Sequence, residues 1–389
     1  MPSSTSSSDA AKRAAEAAGA AALMRPGMPG DDPDVAPGPL ERPLPARPLR
    51  AAGWIGVLLF LLGLGAWEWH WRDFGAAPAY RNSDGLWAMQ RRRIDTGEGD
   101  ATVIVGSSRV LFDVQLPVWE RRWGERPIQL ALEGTSGLPA LEDLADDPDF
   151  TGRVLVGVTP PLFFGDFKRR IGVFPYYRNE SPSQRAGQWL SMRLLEPVFA
   201  YYDADFAFFT VLERQAWPTR GDKPVLPEVR KLMVSGPDRA THMWDKIEND
   251  PEYRALTREV WRGLLFGRPP PPPEVMLELR AKTLERAEVA VKKLRARGAE
   301  VLFVRAPSSG PWAEVEAKGF PRAETWDVLL ARTGARGVHF EDYPELQGFE
   351  LPEWSHLSHR DAERFTEALL TILEREGIWA PPGATKSGS

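Results

Sequence analysis

The sequence predicts an α/β domain on a parallel sheet, carried behind one membrane-spanning helix. Two observations predict it. From about Ala77 to Pro382, short β-rich runs alternate with helical stretches, the pattern of strands joined by crossover helices. Ahead of them lies a run from Ala51 to Trp67, AAGWIGVLLFLLGLGAW, without a single charge.

In chain order, residues 1–50 are rich in Ser, Ala, Gly and Pro, with a proline-dense run from Pro33 to Pro48. Such a segment has too little apolar surface to offset its ordering entropy, so a disordered tail is expected. The uncharged run of seventeen residues, Ala51–Trp67, is at the short end of a bilayer-spanning helix, and the residues up to Trp71 extend the span to 51–71. Trp54, Trp67, Trp69 and Trp71 suit the aromatic belts at a membrane interface. Arg42, Arg47 and Arg50 precede the span, whereas Glu68, Arg72 and Asp73 follow it. The excess of positive charge before the span places the short tail in the cytoplasm and the C-terminal part across the membrane. In a two-membrane bacterium this means a single-pass inner-membrane protein with a periplasmic domain.

Within that domain, 77–382, the expected strands are Thr102–Val105, Ile128–Leu132, Val154–Val158, Val301–Val304 and Gly337–Phe340. Each is mostly a continuous apolar run, as expected of strands covered on both faces. Helices are expected over Leu138–Ala145, Glu274–Ala296, Ala323–Leu330 and His359–Glu376, with Gly298 stopping the long one. Between Phe164 and Pro273 the alternation is lost and aromatics accumulate. This stretch, 164–273, reads as a helical insertion or lid, ending in a stiff polyproline strut at Pro269–Pro273. Residues 383–389 read as a disordered tail.

Composition removes several function classes. The chain of 389 residues holds no cysteine, so disulfides, thiol nucleophiles and thiolate metal sites are excluded. With 49 basic against 54 acidic residues it has no overall nucleic-acid footprint. Only five histidines are present, His70, His242, His339, His356 and His359. None approaches metal-ligand spacing in the sequence, so no metal and no cofactor is expected.

The chemistry concentrates in two places. The first strand runs into Gly106-Ser107-Ser108-Arg109, which puts a serine at the carboxyl edge of the sheet, where open α/β folds place their sites. Near the other end, Pro352–Asp361 precedes the last amphipathic helix. Ser358 and Asp361 fit a capping box there, leaving His356 on the preceding loop. Glu353, three residues before His356, can orient the imidazole as a carboxylate does in a serine triad. Arg109 and Arg305 both fall at carboxyl ends of strands, suited either to an anionic or sugar substrate or to buried ion pairs.

Together these elements resemble the SGNH (GDSL-type) hydrolase superfamily, over about Ala101–Pro160 and Val301–Leu373. Val103–Arg109, VIVGSSR, resembles the first block of that family, with Ser108 as nucleophile. Leu130–Gly134, LALEG, resembles the second, with the Gly134 N–H as an oxyanion donor beside that of Ser108. Leu351–Ser358, LPEWSHLS, resembles the last, with His356 as general base. Two departures stand out. The third block, VGVTP, carries Thr159 where the family has an asparagine, and the acid is Glu353 rather than aspartate. The resemblance implies a three-layer α/β/α, flavodoxin-like parallel sheet. It is nearest to the membrane-anchored branch that includes proteins of cell-surface polysaccharide O-acylation. It therefore implies a serine esterase or O-acyltransferase working on acyl esters of a polysaccharide or lipid-linked glycan, with an integral-membrane acyltransferase as a possible partner. The alternative is an inactive scaffold or glycan-binding module of the same fold.

Overall fold

The computed structural model describes residues 49–215, 231–267, 269 and 271–383. The expected tails fall outside this set apart from Leu49, Arg50 and Gly383, and so does part of the proline run. Pro273 opens a helix rather than closing a strut. Contacts divide the chain after Gly63, and apart from the first helix the description concerns Leu64 onward.

That first helix, Leu49–Asp73, is long and apolar enough to cross a membrane. Its side chains from Trp54 to Leu62 are exposed, whereas Trp71 is buried. Its last turns are built into the insertion. The Glu68 carboxylate accepts from the N–H groups of Ala200 and Tyr201 at 2.9 and 3.0 Å, Arg72 donates to the Val198 carbonyl at 2.9 Å, and Trp71 stacks on Phe206 at 4.8 Å. These contacts carry the helix two residues beyond the expected end.

Five strands form a parallel sheet: β1 (Thr102–Val105), β2 (Ile128–Gln129), β3 (Arg153–Gly157), β6 (Glu300–Arg305) and β7 (Arg336–His339). They lie in the order β2-β1-β3-β6-β7, every neighbouring pair parallel. Alternate side chains serve two separate cores. Val103, Val105, Val154, Val156 and Phe303 join one cluster; Ile104, Leu155, Leu302 and Val304 join the other. Apolar residues are needed at every position because both faces are covered, which is why the strands read as unbroken apolar runs.

The described residues of 164–273 are largely helical and also form a hairpin of β4 (Met233–Ser235) and β5 (Thr241–Met243). Strands of three residues are too short to show a two-residue period, so the sequence pattern hides them. The hairpin turn carries Arg239 at φ +64°. Its buried guanidinium donates to the carbonyls of Gln129 and Ala131, each at 2.7 Å, and to Asn82. Those carbonyls belong to the outer edge of β2 and its continuation, so the hairpin covers an edge that would otherwise be open. β2 is shorter than expected, yet its ladder continues through Leu130 N–H to Ile104 and Leu132 N–H to Gly106.

Candidate functional site

Two short segments meet at the carboxyl edge of the sheet. The chain leaves β1 through Gly106, at φ +149°. A Cβ there would come 2.5 Å from Val110 and 2.9 Å from the Gly157 carbonyl, so only glycine lets the chain turn this close to β3. The helix Ser108–Asp113 starts at once, with Ser107 as N-cap. The Ser107 hydroxyl does not cap the helix; it bonds the Thr159 hydroxyl at 2.6 Å. Ser108 is half-buried, and among the described residues its hydroxyl makes no hydrogen bond. Because Leu132 is the last residue bonded to Gly106, Gly134 and Ser108 each lie two residues past the final ladder bond between neighbouring strands. Gly134 adopts φ +63°.

The second segment is the loop before the helix His359–Arg375. Glu353 is fully buried and His356 is 2% exposed. Glu353 Oε1 accepts from His356 Nδ1 at 2.8 Å, from the His356 backbone N–H at 2.6 Å and from the Ser355 N–H at 3.3 Å. Glu353 Oε2 accepts from the indole N–H of Trp261, on the insertion helix Pro251–Phe266. Burial acts to raise this carboxyl, but His356 and these donors outweigh it and hold it below the usual carboxylate range. With Nδ1–H committed to the carboxylate, the neutral imidazole carries its lone pair on Nε2. Nε2 is buried and has no hydrogen-bond partner among the described residues.

The two segments are joined by contacts. The His356 ring stacks on Phe112 with centroids 4.3 Å apart. Phe112 is four residues after Ser108, hence on the same helix face. Asp113 Oδ1 accepts from the Leu357 N–H at 3.0 Å, and Arg109 Nε donates to Ser355 Oγ at 3.3 Å. No hydrogen bond links Ser108 to Nε2; such bonds are often long until substrate arrives. Asp113 is fully buried, and burial pushes it up to about 7 against the opposing influence of His356 and the Leu357 N–H.

Both arginines of the sequence reading are buried and converge on one carboxylate. Arg109 reaches Glu316 Oε1 and Arg305 reaches Oε2, each at 2.5 Å, while Ser308 donates to Oε2 at 2.6 Å. Burial opposes ionisation of Glu316, but the two guanidiniums carry it down to about 2. Ion pairing, rather than a free cation turned to substrate, is the arrangement found. Beside it a cavity of about 10 Å³, the scale of one water, is lined by Arg109, Asp113 and Thr159. Arg109 Nη1 and Asp113 Oδ2 are buried without hydrogen-bond partners among the described residues.

The remaining histidines lie elsewhere. His339 is buried and held down to about 3, first by burial and then by Arg305 and Arg322. His242, Asp245 and His359 gather with ligand atoms within 4.8 Å of one another, a grouping hidden by their separation in sequence. The two rings stack 3.8 Å apart and nearly parallel, so no ion can lie in the plane of both without ring rotation. Ser358 caps the last helix by accepting from the Asp361 N–H, but Asp361 turns to the Glu350 N–H at 2.6 Å instead of completing the capping box. Trp261 was invisible to sequence reading, since nothing local ties a tryptophan to an acid 92 residues away.

No family model matches the chain, and no curated protein matches it significantly.

Proposed function

We propose that the domain is a serine-dependent esterase or O-acyltransferase, in which Ser108 attacks an acyl carbonyl. His356 Nε2 takes the serine proton while Glu353 holds the ring and stabilises the imidazolium, and gives that proton to the departing alcohol as the ester C–O bond breaks. Water or a sugar hydroxyl, deprotonated by the same Nε2, then takes the acyl group, and Nε2 returns the proton to Ser108. The N–H groups of Ser108 and Gly134 receive the oxyanion. The observation that carries this reading is the buried, carboxylate-held His356 with an unpartnered Nε2, stacked on the helix that Ser108 begins. A lone pair kept buried without a donor costs stability, which is expected where a reaction uses it. The strand order β2-β1-β3-β6-β7 and the two cores support a three-layer, flavodoxin-like arrangement. The reading takes the domain to be periplasmic, held by the helix Leu49–Asp73, which is long and apolar enough to cross a membrane. Its substrates would be acyl esters of a cell-surface polysaccharide or lipid-linked glycan, and its partner an integral-membrane acyltransferase.

One observation favours the other reading, an inactive scaffold or glycan-binding module of the same fold. The Thr159 hydroxyl, at the third-block position, is engaged by Ser107. Loss of one oxyanion donor costs roughly 10²–10³ in rate. Labelling with a fluorophosphonate probe separates the two. The enzyme reading expects labelling of the wild type that is lost in Ser108→Ala and His356→Ala; a folded wild type that stays unlabelled sinks it.

A further inference from the structure

On the outer side of the Glu353 loop, the helix Pro251–Phe266 and Trp354 enclose a groove of about 320 Å³, lined by Pro251, Arg254, Ala255, Arg258, Arg262 and Trp354. We infer that this groove binds an acidic glycan, a chain carrying about one carboxylate per sugar. The inference takes its reacting partner from the acyl-transfer reading, but the binding itself does not depend on it.

Arg254, Arg258 and Arg262 are four residues apart, so they form a ladder on one helix face with a rise of about 6 Å per step. That pitch is close to the length of one pyranose unit. Each guanidinium has a partner on the protein, and none of the three residues is buried. Arg254 donates to the carbonyls of Ile247 and Glu248, and Arg258 Nε donates to the Pro352 carbonyl at 2.8 Å. Arg258 and Arg262 lie over the Trp354 ring at 5.2 and 5.1 Å, a contact that orients the planar fork. Among the described residues the only carboxylate on the ladder is Glu259, 3.6 Å from Arg262 and itself exposed. Three cations with one exposed counter-charge make a groove suited to a row of anions.

Trp354 is placed at some cost. It adopts φ +75°, a left-handed conformation that strains a non-glycine residue. The Ser309 N–H donates to its carbonyl at 2.9 Å, and its own N–H donates to Leu351 at 3.1 Å. A Cβ on Gly310 would come 2.9 Å from its ring, so glycine is what admits the indole. Trp354 also directly follows Glu353, and Trp261 on the same helix donates to that acid. The helix and the loop that line the groove are therefore the same two elements that hold Glu353. A row of three guanidiniums suits a repeating polyanion better than the single phosphate of a lipid headgroup.

The test is binding of oligogalacturonate to the full chain in phosphatidylcholine nanodiscs, with dextran of similar length as the neutral control. Expected is binding of the galacturonate alone, weakened at least tenfold in R254Q/R258Q/R262Q and kept within about threefold in R254K/R258K/R262K, which also reports an intact fold. Galacturonate binding unchanged in the glutamine variant, or absent in the wild type, overturns the inference. A groove that prefers glycerol phosphate to trigalacturonate, mole for mole, overturns it in favour of a phospholipid headgroup. Fluorophosphonate labelling is read separately: binding without labelling keeps the groove and sinks the acyl-transfer reading, and labelling without binding does the reverse.

Discussion

The loop Leu351–Ser358 and the end of the helix Ser108–Asp113 flank the same imidazole, and each brings one fully buried carboxylate. They treat it differently. Glu353 accepts from two backbone N–H groups, from His356 Nδ1 and from Trp261, and is held below its usual range. Asp113 accepts from one backbone N–H, keeps Oδ2 unpaired, and is pushed up to about 7. Burial is the same for both; the neighbouring His356 and the number of donors decide how far it is offset. One carboxylate is kept an anion beside His356, and the other exchanges its proton around neutral pH.

The sharpest way to break that contrast is to remove the well-served acid. Glu353→Ala strands four donors, two of them on His356, in a dry loop. We expect about 3–5 kcal/mol lost from the unfolding free energy and no fluorophosphonate labelling, both measured at neutral pH. A variant as stable as wild type would show that the donors find other acceptors.

Asp113→Asn tests the opposite side. A folded-state pKa raised above the unfolded value means the folded protein binds the extra proton, so stability falls as pH rises from about 4 through about 7. Asparagine keeps the acceptor for Leu357 and never ionises. Relative to wild type the variant is expected to gain about 2–4 kcal/mol between pH 4 and pH 8, read from urea unfolding at the two pH values. A flat difference across that range would mean that Asp113 is ionised throughout.

The smallest effect is expected from Trp261→Phe, which removes one donor from Glu353 and leaves the ring. A loss of about 1–2 kcal/mol is expected. Because the lost bond favours the charged carboxylate, Glu353 rises toward its ordinary range. The deficit is therefore full above the unfolded carboxyl pKa and shrinks as pH falls below it, while the acid limb of the labelling rate moves to higher pH. Equal deficits at pH 4 and pH 7 would assign Trp261 to packing alone.

These contrasts differ in how far they could be read from the chain itself. The Glu353–His356 pair is three residues apart on one loop, and its hydrogen bond was legible as spacing. The serine after β1 was legible because a glycine closes an apolar run there. Asp113 was not, since it sits in an ordinary amphipathic turn and becomes unusual only when Leu357 and His356 fold over it. The hairpin β4–β5 escaped for a related reason: its strands are too short for a period, and its docking rests on Arg239 reaching β2 from far along the chain.

What the amino-acid order determined by itself was whatever depends on neighbours within a few residues. That covers the apolar run inside the helix Leu49–Asp73, the five strands of the sheet, the limits of the helices Leu138–Asp146, Pro273–Ala296 and His359–Arg375, and the spacing of the histidine loop. Periodicity, capping and apolar run length act over one or two turns and leave a mark in the sequence. Tertiary structure decided which cations are spent and which are open. Arg109 and Arg305 both close on Glu316, whereas Arg254, Arg258 and Arg262 face a groove with one exposed counter-charge. Ion pairing and burial depend on distance in space, and no rule of spacing along the chain encodes it.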